Sequence, residues 1–128
     1  MTPIPPPPAE VAWLSGIIGA DATLRLVEER GGTSIFVPRE VNQASPLAQL
    51  VGLGNARRLS EVYGGDYIAV PLLRWWRVRV EKARGLKDRE IARKLVMTEG
   101  QVSRLLRAAA PPPAPPPGPS PQPDLFGP

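Results

Sequence analysis

The sequence predicts a mainly α-helical fold with a small β element: two helix–strand repeats that make a short sheet, then a basic three-helix subdomain, all between proline-rich ends. Three observations lead there. The phrase GGTSIFVP at residues 31–38 returns as GGDYIAVP at 64–71. Apolar residues ahead of each copy recur at helical spacing. The charge also changes sign along the chain, with five Arg against seven acids over residues 1–71 and eleven Lys and Arg against four acids over residues 72–107.

Of the 128 residues, 18 are proline, most of them in PIPPPP at 3–8 and PPPAPPPGPSPQPDLFGP at 111–128. Such runs keep an extended, hydrated backbone rather than burying apolar surface. The ends, residues 1–8 and 111–128, are therefore expected to be disordered, and the packed part to lie between them. The chain has no cysteine and no histidine. That removes disulfides, thiolate nucleophiles, Cys/His zinc sites and imidazole bases. The acids are scattered as well, so no catalytic residue, metal site or cofactor is expected and the chain reads as a non-enzyme. It shows neither a signal-peptide pattern nor an apolar run long enough to span a bilayer. A cytoplasmic, nucleoid-associated protein without a membrane partner is the expectation.

Residues 9–71 form the first expected domain. A shift of 33 pairs LSGIIGADATLRLVEERGGTSIFVP (14–38) with LAQLVGLGNARRLSEVYGGDYIAVP (47–71), matching ten of 25 positions without a gap. Two copies of one supersecondary unit is the economical reading. In each copy the spacing of Ile18, Thr23 and Leu26, or of Val51, Ala56 and Leu59, predicts one helix of about three turns. Gly31 and Gly64 then fall at the helix ends, where glycine takes the left-handed conformation of a C-terminal cap. A short strand follows, with Ile35 and Val37 on one face in the first copy, Ile68 and Val70 in the second, and Pro38 or Pro71 as its end. Ser45 and Pro46 supply an N-cap and first helical residue for the second copy. A single hairpin is marginal in water, so each strand needs a partner. Either the strands near 34–37 and 67–70 pair antiparallel about a pseudo-twofold axis, or they pair with a second chain.

Residues 72–110 form the basic domain. LLRWWRVRVEKARG places Leu72, Leu73, Trp76, Val80 and Ala83 on one helical stripe and Arg74, Arg77, Glu81 and Arg84 on the other side. Gly85 ends this helix. Trp76 lies within the stripe and Trp75 beside it, so the tryptophans are expected as core or subunit contacts rather than base-stacking platforms. In LKDREIARKLVMTEGQVSRLLR, one helix carries Ile91, Ala92 and Leu95 inward, Val96 and Met97 turn the chain, and Thr98 caps a second helix with Val102, Leu105 and Leu106. Small Ala92 permits a close helix crossing and Val102 fills the angle, a spacing that resembles the helix-turn-helix of DNA-binding proteins. Set in a major groove, the second helix offers Thr98, Glu99, Gln101, Ser103, Arg104 and Arg107 to base edges. Arg77, Arg84, Arg89, Arg93 and Lys94 are placed for phosphates, which set affinity and register rather than sequence.

With strand, basic helix and helix-turn-helix in that order, the chain resembles the Mor/C family of phage transcription activators. The resemblance is carried by YGGDYIAVP (63–71), LLRWWRVRVEKARG and DREIARKLVMTEGQVSRLLR (88–107). It implies a homodimer whose Gly-Gly-strand element forms the dimerisation sheet, and paired heads in adjacent major grooves. Gly64, Gly65 and Tyr67 would then lie near the minor groove or in the dimer strand. The chain departs from the pattern at Val96, where the turn usually has glycine, and at Lys87, which replaces a Ser/Thr cap and leaves Asp88 to substitute. Gly100 inside the second helix costs about 1 kcal/mol against alanine.

The tail ends in QPDLF, which resembles the short peptide by which bacterial replication proteins engage the sliding clamp, with Gln122, Leu125 and Phe126 as anchors. Two functions are therefore expected to compete. One is a sequence-specific regulator of double-stranded DNA, with RNA polymerase as a further partner. The other is a non-enzymatic adaptor in DNA replication or repair that recruits the clamp.

Overall fold

In the computed structural model, residues 4–109 and 111 are described. They form two compact units, residues 10–72 and residues 4–9 with 73–111. The architecture is mainly helical with one two-stranded antiparallel sheet. Among the described residues, no helix is long and apolar enough to cross a membrane.

The first unit is the duplicated one. It contains α1 (Ala12–Arg30), β1 (Ser34–Phe36), α2 (Pro46–Val51), α3 (Leu53–Tyr63) and β2 (Tyr67–Ala69). The strands pair within this one chain, Ser34 opposite Ala69, Ile35 opposite Ile68 and Phe36 opposite Tyr67. Ile35 and Ile68 are equivalent under the shift of 33, so the pseudo-twofold axis runs through that pair. The flanking bonds repeat the symmetry. The Gly32 and Gly65 amides donate to the carbonyls of Val70 and Val37, each at 2.7 Å, and the Val70 and Val37 amides donate to Thr33 and Asp66. Ile68, Val37 and Val70 are buried, while Phe36 and Tyr67 stand exposed on the opposite face.

Two expectations need correction here. The single three-turn helix of each copy is broken, at Gly19 (φ 84, ψ 167) in α1 and at Gly52 (φ 93, ψ 152) between α2 and α3. These glycines are equivalent, and their backbone region is closed to side chains. The break lets α1, α2 and α3 pack on one another with Leu14, Leu26 and Leu59 fully buried. The left-handed glycine, moreover, is the second of each pair, Gly32 (φ 84) or Gly65 (φ 91). Gly31 and Gly64 have φ −54 and −55. They are glycine for a steric reason, because a Cβ on Gly31 would lie 2.5 Å from the Val27 carbonyl oxygen, and one on Gly64 would collide with the Ser60 carbonyl. Ser45 begins α2 through its backbone alone, since its hydroxyl accepts from the Asn42 amide instead.

The second unit holds α4 (Arg74–Ala83), α5 (Asp88–Leu95) and α6 (Glu99–Arg107), each packed against the other two. Val78, Ile91, Ala92, Leu95 and Val102 make its core, and Leu86, Met97, Leu105 and Leu106 pack around it. These are the inward positions read from the sequence for the last two helices. For α4 the single stripe is wrong. The helix begins at Arg74, Leu72 is exposed outside it, and both Val78 and Glu81 are buried. With two helices against it, α4 is covered on more than one side. The expected disorder of the N-terminal prolines is also corrected for residues 4–8, as Pro8 is buried and the Trp76 indole donates to the Pro5 carbonyl at 2.8 Å. Residues 112–128 lie outside the described part.

Candidate nucleic-acid interface

The turn between α5 and α6 is tight because Val96 takes the left-handed conformation, φ 55 and ψ 56. The Met97 amide then reaches back to the Ala92 carbonyl at 2.8 Å. Thr98 follows as a true N-cap. Its hydroxyl accepts from the Gln101 amide at 3.1 Å, and the Gln101 side-chain oxygen accepts from the Thr98 amide at 3.0 Å. This reciprocal pair satisfies two of the amides a helix start leaves unpaired. At the start of α5, Asp88 does not cap. Glu90 does, by accepting from the Lys87 amide at 2.9 Å, and Lys87 has no side-chain acceptor to return the bond.

The acids of this unit are turned to internal use. Glu81, in α4, is 1% exposed and takes Arg84 on one carboxylate oxygen and Lys94 on the other, each at 2.5 Å. Burial pushes its carboxyl up, but hydrogen bonds from Lys94 and Arg84, helped by their charges, outweigh that and leave it below the ordinary 4.5. Asp88 receives Lys82 at 2.8 Å and the Ser103 hydroxyl at 3.3 Å. The Lys82 hydrogen bond is the main cause of its lowered pKa, against a smaller desolvation effect. With Glu90 occupied at the cap, only Glu99 of the four acids is uncommitted among the described residues.

The expected base-reading residues therefore divide. Glu99, Arg104 and Arg107 are exposed and make no side-chain bond among the described residues. Thr98 and Gln101 cap α6, and Ser103 is half-buried against Asp88. The expected phosphate contacts divide too. Arg84 and Lys94 hold Glu81 and Arg77 is half-buried. Arg89 and Arg93 are exposed and line a cleft of about 330 Å³ with Lys87 and Glu90. Lys87 was missed from the sequence because its place before an amphipathic helix suggested only a failed cap. Arg79, also missed, lies 4.4 Å over the Trp75 ring and donates to the carbonyls of Leu106 and Ala108. A cation here meets the negative end of the α6 dipole and ties down its last turn.

Gly64 is accounted for by the end of α3, through the Ser60 carbonyl, and Gly65 by the sheet, through its bond to Val37. Tyr67 packs edge-on to Phe36, with centroids 5.2 Å apart, on the exposed side of the same sheet. Gln122, Leu125 and Phe126 lie outside the described residues. Comparison with protein-family models, with curated proteins and with solved structures finds no match for this chain.

Proposed function

We propose that this chain is a sequence-specific double-stranded DNA-binding regulator of phage or prophage type that reads the major groove with α6. One observation carries the reading. Three of the four acids in the second unit are spent on its internal bonds, so the exposed sides of α5 and α6 carry Arg89, Arg93, Arg104 and Arg107 with little to neutralise them. A cationic surface on a braced pair of short helices suits the phosphates and base edges of a duplex. The dimer suggested by the family resemblance belongs to the same proposal. Its two heads would take half-sites about 34 Å apart, although both strands of the sheet here come from one chain.

The test is a titration of labelled duplex DNA by fluorescence anisotropy across a series of salt concentrations. Three phosphate contacts would give a slope of about −2.7 in log K against log salt, and Arg93→Ala should reduce it by about 0.9. Binding that is weak, independent of salt and untouched by Arg93→Ala or Arg104→Ala would refute the proposal.

A further inference from the structure

Base recognition requires side chains whose donors and acceptors are not already engaged. Adenine is read by an amide that accepts from N6 and donates to N7 together. Gln101 is the one side chain on α6 with that pair of groups, and its oxygen is held at 3.0 Å by the Thr98 amide. Taking adenine would compete with this half of the reciprocal cap, although the Thr98 hydroxyl would still hold the Gln101 amide. Ser103 is directed to Asp88 at 3.3 Å. What remains outward is Arg104 and Arg107, with Glu99 in the first turn. Arginine matches the two acceptors of guanine, and glutamate accepts from cytosine.

One turn before Arg104, on the same side, stands Gly100. Its backbone is not left-handed, and an added Cβ would meet only the Thr98 hydroxyl, at 3.9 Å. Neither conformation nor packing calls for glycine there, yet the helix bears its cost, up to about 1 kcal/mol. Gly16 and Gly54 are equally open, so openness alone decides nothing. Position does: Gly100, Arg104 and Arg107 follow one another at i, i+4 and i+7, and the missing side chain lies where a helix entering a groove by its first turns comes closest to its target.

Resting on the DNA-binding reading above, we infer that α6 approaches the duplex through Gly100, closely enough that a Cβ would intrude. Arg104 and Arg107 then read guanines, so the target is a G·C-directed site. Selection of bound sequences from random duplex DNA by the full chain tests the second part. Guanines should dominate the reading positions. Arg104→Ala should weaken preference at one of them roughly five- to hundredfold, while Gln101→Ala leaves base preference as it was. A site of A·T pairs alone, or loss of an adenine preference in Gln101→Ala, overturns it. Gly100→Ala tests the approach. It should melt no lower than the parent chain yet bind the selected duplex roughly tenfold more weakly or worse. Undiminished affinity in this folded variant overturns the approach while leaving DNA binding intact. A parent chain that selects no duplex at all overturns the proposed function itself, and this inference with it.

Discussion

Among the described residues, two outside glycine have left-handed backbone, Val96 (φ 55) and Leu73 (φ 50), and they should answer the same substitution in opposite directions. An L-residue there costs about 1–2 kcal/mol through the contact of Cβ with the following carbonyl. Glycine removes that cost but loses about 0.5–1 kcal/mol of it through its freer unfolded chain. Val96 is 87% exposed, so its side chain contributes almost no burial that could be lost. Val96→Gly should therefore stabilise the protein by about 0.5–1 kcal/mol, or about 3–6 °C in melting temperature for a domain of this size. Leu73 is 8% exposed. Removing it forfeits about 2–5 kcal/mol of packing, which exceeds the relief, so Leu73→Gly should lower stability by about 1 kcal/mol or more. Thermal unfolding followed by far-ultraviolet circular dichroism measures both. A lower melting temperature for Val96→Gly, or shifts of one sign in the two variants, would refute the reasoning.

Three further outcomes can be checked with similar means. Glu81→Gln should cost about 2–3 kcal/mol in urea unfolding. That is less than the roughly 3–5 kcal/mol of a fully buried pair, because Lys94 and Arg84 are 47% and 38% exposed and can rehydrate. Glu81 has a folded pKa below its unfolded one, so its contribution is present above about pH 4.5 and is lost as pH falls through the folded value. Asp88 acts in the same sense, so an acid titration should show stability falling below about pH 4.5, and falling less steeply in Glu81→Gln. Gly19→Ala and Gly52→Ala should each destabilise by about 1–3 kcal/mol, although no atom lies within 4 Å of the added carbon. A neutral result at both would mean that the helix breaks are not imposed by backbone conformation.

Local patterns were legible in the sequence wherever the physics is local. The shift of 33 foretold two equivalent units and left two pairings open, antiparallel within the chain or with a second chain; the structure has the first. The inward positions of α5 and α6 and the Thr98 cap followed from a helical period of 3.6 and from the amides a helix start leaves unpaired. Other features depended on what arrives from elsewhere in the chain. Glu81 looked like a solvated residue on the cationic side of α4, and only the approach of Lys94 from α5, beside Arg84, makes its burial tolerable. Gln101 and Ser103 looked like reading groups, but the bonds to Thr98 and Asp88 show them already committed. The breaks at Gly19 and Gly52 were written as one of the ten repeated identities, yet a glycine inside a helical pattern does not announce which dihedral it will take. Sequence alone determined the duplication, the charge division and the helix-turn-helix spacing, since each is a matter of residue order and period. The tertiary structure alone decided which charges remain outward, because ion pairing and capping depend on distances that no spacing along the chain contains.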